Sequence, residues 1–169
     1  MDKSRLFISY GVKYEPQWLV DDMQENLHYA DCFAEVDCRA RETEFWIHEG
    51  EYRRLQRKAL LEAGIRRGDW VLVTSPDERW DDSGEQTIRE LMDKQERTVY
   101  VFPLREMWNP TQYRVDGIWG RKTRPRLYPF EENQIFSDRR LQSIPVPVYP
   151  RYPRRFVPEL NLYHLKTIE

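Results

Sequence analysis

The run Trp70-Val71-Leu72-Val73 constrains this chain more than any other stretch, lying between Gly68-Asp69 and Thr74-Ser75-Pro76-Asp77-Glu78. Four apolar residues without polar alternation read as a strand covered on both faces, hence one from the middle of a sheet. Two acids, Asp77 and Glu78, follow at the strand's carboxyl end, where open α/β sheets bind their ligands. The competing reading is a solvated turn in which Pro76 fixes the backbone and Ser75 and Asp77 cap it.

The flanking segments supply the rest of an alternating α/β pattern. Leu6 to Tyr10 reads as a strand, and Glu15-Pro16 opens a helix whose Leu19, Met23 and Leu27 share one face. Cys32 to Val36 is a second strand ending at Asp37, which the β-α-β order makes parallel to the first. Cys38 to His48 is charged and irregular, a loop that Phe45 and Trp46 can anchor. A helix over 49–63 follows, with Tyr52, Leu55, Ala59, Leu60 and Ala63 as its apolar stripe and Gly64 as its C-terminal stop. Asp81-Asp82-Ser83-Gly84 starts another helix, to about Lys94, burying Ile88, Leu91 and Met92. A strand from Thr98 is expected to stop at Pro103. Beyond it, Leu104 to Trp108 either extends that strand or pairs elsewhere, and Arg126 to Tyr128 is a further short strand. Five prolines between Ile144 and Pro158 predict extended chain wrapping the surface, and Leu160 to Leu165 is a last apolar piece carrying His164.

Composition sets the class and the partners. With 169 residues and 14% aromatics, the chain has material for one core and is globular. Residues 121–155 hold nine Lys/Arg against three Asp/Glu, so +6 of formal charge sits there in a chain of net charge -2. That excess either faces an anionic ligand, such as a sugar nucleotide or a nucleic-acid backbone, or is a solvated surface. Two cysteines without CxxC spacing fit a reducing cytoplasm, and no apolar run is long enough for a membrane span.

Taken in order, YGVKYEPQWL (10–19), AEVDCR (34–39), KALLEAG (58–64), GDWVLVTSPDERW (68–80), YRVDGIWGRKTRPRLYP (113–129) and NLYHLK (161–166) resemble the pieces of a family 2 glycosyltransferase. The resemblance implies a three-layer α/β/α GT-A fold with a mixed central sheet. It implies one domain over 1–169, with 1–103 as the nucleotide-binding half and 104–169 as the half that faces the acceptor and completes the metal site. The activity it implies is transfer from a nucleotide sugar, a UDP-sugar above others, to a hydroxyl acceptor with inversion. One acceptor of small relatives is a hydroxymethylated base in DNA.

The same resemblance assigns residues. The family's Asp-Ala-Asp-Glu falls on Ser75-Pro76-Asp77-Glu78, making Asp77 a ligand of Mn²⁺ or Mg²⁺ and putting Ser75 where an aspartate is usual. His164 matches a late histidine that ligates the same cation. An oxygen-ligated cation suits a departing diphosphate, whose charge grows as the glycosidic bond breaks. The donor set comprises Tyr10, Glu15, Asp37, Gln56, Arg57, Ser75, Pro76 and Asp77. Carboxylates such as Glu15 and Asp37 accept hydrogen bonds from an imide or from ribose hydroxyls, although Glu15 also suits a helix start and Asp37 a turn. Asp138, then Asp116, are the candidates for the base that takes the acceptor's proton. Trp119, Arg121, Lys122 and Arg124, with Arg126 beside them, are placed at the acceptor or the phosphates. The alternative reading is a degenerate GT-A domain that binds nucleotides or partners, motivated by Ser75.

Overall fold

The computed structural model describes residues 3–39, 48–141 and 143–165, so the expected loop with Phe45 and Trp46 lies outside the described residues. Leu6–Val12 forms β1, Gln17–Asn26 forms α1 and Cys32–Asp37 forms β2. β1 and β2 pair in parallel, Ser9 opposite Ala34 and Val12 opposite Asp37. Glu49–Glu62 forms α2, and the chain leaves it through Gly64 at φ 79°, a left-handed turn that favours glycine. It re-enters the sheet on the opposite side of β1 as β3, Trp70–Val73, again in parallel. Having stepped from β1 one way to β2 and then back past β1 to β3, the chain opens a crevice outside the carboxyl ends of β1 and β3.

The second part of the chain closes the sheet. Glu78–Trp80 forms β4, Gly84–Asp93 forms α3, Val99–Asn109 forms β5 and Gln112–Tyr113 forms β6. A 3₁₀ turn at Trp119–Arg121 leads into β7, Thr123–Pro129. Arg154–Phe156 is β8 and Leu162–His164 is β9. The strands run β2-β1-β3-β7-β5-β9-β4, with β6 and β8 also on β5. β3 is therefore central, parallel to β1 and antiparallel to β7, and all four of its residues are buried. The protein is thus an α/β molecule with a mixed sheet, and the described residues carry three α-helices.

Side-chain alternation along β1 decides what covers each face. Leu6, Ile8, Tyr10 and Val12 join Val20 and Met23 of α1 and Ile88, Leu91 and Met92 of α3 in one cluster. Phe7, with Val71 and Val73 of β3, joins Leu60 of α2 in the other. Each fully buried side chain of this size contributes about 1.5–3 kcal/mol. Along the expected α1 stripe Met23 and Leu27 are fully buried, Val20 joins them, and Leu19 at its edge is only half-buried.

The expected stop at Pro103 does not occur: β5 runs through it to Asn109. Pro103 pairs with Thr123, at the point where β5 exchanges β8, opposite residues 99–101, for β9, opposite residues 104–106. A missing N–H costs little where no partner on that side needs it. The proline-rich chain from Ile144 is extended as expected, but it also contributes β8 to the sheet.

Candidate active site

A cavity of about 660 Å³ opens at the carboxyl ends of β1 and β3. Gly11 of β1 and Val73 to Pro76 form one wall, Glu49, Tyr52, Arg53 and Gln56 of α2 a second, and Arg124 to Arg126 with Arg154 a third. The cavity is cationic in effect. Its two acids are occupied: Glu15 accepts from the backbone N–H of Lys13 at 2.8 Å and of Tyr14 at 3.1 Å, and Glu49 accepts from that of Ser143 at 2.5 Å. Burial lowers the pKa of the Arg53 guanidinium, which donates to Gln56 Oε1 at 2.7 Å. Gln56 Nε2, Arg53 Nε and Arg126 Nε are buried with no hydrogen-bond partner. Orphaned buried donors are costly, and three on residues lining one cavity mark a place that oxygen acceptors would relieve.

Beside this cavity, one residue past Pro76, stands Asp77. Its Oδ2 lies 3.0 Å from His164 Nε2, although the two residues are 87 apart in the chain. Strand register produces the meeting. β9 lies between β4 and β5, with His164 opposite Glu78 on one side and Glu106 on the other, and the Leu165 N–H donates to the Asp77 carbonyl at 2.7 Å. The second ring nitrogen, Nδ1, lies 2.8 Å from Glu106 Oε2, and Lys122 Nζ donates to Glu106 Oε1 at 2.9 Å. The hydrogen bond to Asp77, helped by Glu106 and opposed by burial, raises the imidazole pKa to about 9. Burial pushes the Glu106 carboxyl up, but Lys122 and His164 outweigh it and hold it below its ordinary value.

Asp77 and His164 meet each other directly, and with the imidazole pKa raised to about 9 the ring is protonated at neutral pH, so a cation held by this pair would have to displace the Nε2 proton. No group of three or more His, Cys, Asp or Glu that could hold a metal ion occurs among the described residues. Glu78 does not join them. It turns back to accept from Thr74 Oγ1 at 3.1 Å, the Ser75 N–H at 3.0 Å and Arg126 Nη2 at 2.5 Å, and is buried.

Other expected site residues separate into two groups. Glu15, Gln56, Ser75, Pro76 and Arg124 line the cavity. Tyr10 does not: it is buried in the core, its hydroxyl donating to Glu35 at 3.0 Å and accepting from Gln24 at 2.8 Å. Asp37 ends β2 outside the cavity wall, its pKa lowered by the backbone N–H and the guanidinium of Arg39. Arg57 packs over the Phe130 ring and donates to the Glu132 carbonyl. Asp138 is exposed and paired with Arg54, and Asp116 is exposed and held by Arg114 at 3.0 and 2.6 Å. Neither candidate base borders the cavity. Arg121 is exposed at the end of the 3₁₀ turn. Trp119 packs against two cations, Arg114 at 4.6 Å and Lys122 at 3.8 Å from its ring centre.

Sequence reasoning passed over Glu106, Tyr52 and Arg53. Glu106 had a signal: Phe102, Leu104 and Glu106 alternate onto one buried face of β5, and an acid in that register needs a partner. Arg53 and Gln56, a helical turn apart, carried no such mark.

No protein-family model matches the chain, and no curated protein does. A solved structure described as "Crystal structure of a glycosyltransferase involved in the glycosylation of the major capsid of PBCV-1" is similar over 74% of this chain and 59% of its own, at 12% identity and a TM-score of 0.44. The chain therefore spans less than two-thirds of that protein's length. So loose a likeness leaves the weight on the chain's own geometry.

Proposed function

We propose that the protein is a nucleotide-sugar-dependent glycosyltransferase of GT-A type, binding its donor in the cavity at the carboxyl ends of β1 and β3. The convergence of Asp77 and His164 beside a cationic, donor-rich cavity supports this reading above all. In it, residues 1–103 supply most of the nucleotide site and 104–169 the acceptor side. Gln56 and Arg53 donate to oxygens of the base or ribose, while Arg124, Arg126 and Arg154 face the diphosphate of a UDP-sugar. Asp77 and His164 would hold Mn²⁺ or Mg²⁺, which supplies positive charge to the departing diphosphate. Pro76 and Ser75 set the turn that carries Asp77 to the cavity's edge. The acceptor hydroxyl attacks from the open side with inversion.

Calorimetry with UDP tests this directly. Mn²⁺ is expected to raise UDP affinity in the wild-type protein, and Asp77→Ala and His164→Ala are expected to remove that increment while leaving metal-free binding in place. Metal-dependent affinity that survives both substitutions overturns the assignment.

For the acceptor, a hydroxymethylated base in DNA draws support from the exposed arginines Arg139, Arg151 and Arg154. Lys122, by contrast, is engaged by Glu106. Duplex binding that drops steeply as salt rises is the expected signature, and salt-insensitive binding would exclude a nucleic-acid acceptor.

A second reading, a nucleotide-binding module without turnover, is favoured by one observation: both acids on the cavity wall are tied to backbone N–H groups. UDP binding without release of sugar from any UDP-sugar would select it.

A further inference from the structure

We infer that Glu106 is the positioning residue that fixes the His164 ring, holding the Nδ1 proton so that Nε2 is the nitrogen presented toward Asp77. The inference rests on the metal role proposed for His164, but its first observable does not need a metal.

Three features of the strand carry the argument. Glu106 and His164 are register partners on parallel neighbours β5 and β9, so the backbone sets their separation. Both carboxylate oxygens are committed, Oε2 to His164 Nδ1 at 2.8 Å and Oε1 to Lys122 Nζ at 2.9 Å, which fixes the plane of the carboxylate. The Glu106 side chain is only 4% exposed, whereas that of Asp77 is 32% exposed, so water competes for the Nε2 partner and hardly at all for the Nδ1 partner. A neutral imidazole keeps one proton, and the drier, shorter contact is where it is retained. Nε2 is then left with its lone pair facing Asp77 and the solvent side. A buried carboxylate behind a histidine nitrogen, with the other nitrogen turned toward an open carboxylate, is the arrangement in which the outer partner sets tautomer and basicity for a ligand. Lys122, seated on the Trp119 ring, keeps the carboxylate from swinging away.

The chain has three histidines, so ring ¹⁵N spectra of the full-length protein are tractable, with His164 assigned by its loss in His164→Gln. In metal-free protein at pH 10 the wild-type ring is expected in the Nδ1–H form, against the usual preference for Nε2–H. Glu106→Gln, whose single amide oxygen is claimed by the Lys122 ammonium and whose NH2 then faces Nδ1, is expected to move the ring to Nε2–H. The double variant Glu106→Met/Lys122→Met, which leaves no unpaired charge in the strand, is expected to move the ring to Nε2–H. In the same double variant, titration with Mn²⁺ alone is expected to show affinity reduced roughly 10–100-fold. An Nε2–H ring in the wild-type protein overturns the inference, whether or not the double variant folds. So does an unaltered tautomer in a folded double variant. Wild-type protein that shows the Nδ1–H form but takes up no Mn²⁺ would instead remove the metal role and leave the positioning intact.

Discussion

Arg126 Nη2 reaches Glu78 Oε1 at 2.5 Å, joining β7 to the turn that follows β3, with both side chains largely buried. The same carboxylate caps Thr74 and Ser75 through its other oxygen. Glu78 therefore shapes the turn that presents Asp77, and it is committed to that task. Removing one member of a buried ion pair strands the other in low dielectric, at a cost of about 3–5 kcal/mol. Glu78→Ala is accordingly expected to lower the urea unfolding free energy by about 3 kcal/mol. With both variants measured above pH 9, where the His164 ring has lost the proton that pairs it with Asp77, Asp77→Ala at the half-buried position one residue earlier is expected to cost much less. Equal losses in the two variants would show that the pair does not hold the turn.

Gly11 tests the close fit between β1 and α2. A Cβ there would lie 2.4 Å from the Tyr52 hydroxyl and under 3 Å from two of its ring carbons. Tyr52 and Gly11 line the same cavity from adjoining walls, so the ring cannot accommodate the methyl without moving its own wall. Gly11→Ala is expected to destabilise by about 1–3 kcal/mol, as overpacking does, and to weaken UDP binding. The pair Gly11→Ala/Tyr52→Leu is expected to recover much of the stability. Full stability in Gly11→Ala alone would mean that the ring moves freely.

How far the sequence discloses this molecule depends on the range of the interaction. β3, α2 and α3 are legible because apolar spacing, a capping glycine and a cluster of acids act within a few residues. Asp77 and His164 were legible as types in a particular order, but their 3.0 Å approach depends on β9 adding between β4 and β5, which no local pattern encodes. β4 was missed because three residues, Glu-Arg-Trp, show no period of their own and become a strand only when β9 arrives. The surroundings of Asp116 and Asp138 are illegible for a related reason: an acid on a loop reads the same whether or not an arginine, here Arg114 or Arg54, stands beside it.

Gln56 offers a separation of stability from binding. Its Oε1 already accepts from Arg53, while its Nε2 is buried with no partner. Gln56→Glu exchanges the orphaned donor for a second carboxylate oxygen beside a guanidinium, so no loss of stability is expected. A carboxylate in place of the amide that is proposed to donate to oxygens of the base or ribose should reduce UDP affinity at least about tenfold, since it removes the donor and sets lone pairs against lone pairs. Unchanged affinity, measured by calorimetry, would move the nucleotide away from α2.

The His164 ring gives the metal-free protein a stability that depends on pH. Its pKa is raised from 6.5 to about 9, chiefly by the hydrogen bond to Asp77, with Glu106 on the other nitrogen. A group that binds its proton more tightly folded than unfolded stabilises fully below its unfolded value and loses that contribution as pH climbs through its folded value. With chelator present, unfolding free energy is expected to fall by on the order of 3 kcal/mol between pH 6.5 and 9. His164→Gln is expected to flatten this part of the profile, because no ring proton remains to be lost. Saturating Mn²⁺ should flatten it as well, since the ring then gives up its Nε2 proton in the folded state at lower pH. A slope that persists unchanged in His164→Gln would assign the titration to another group and leave the Asp77 pair without its charge.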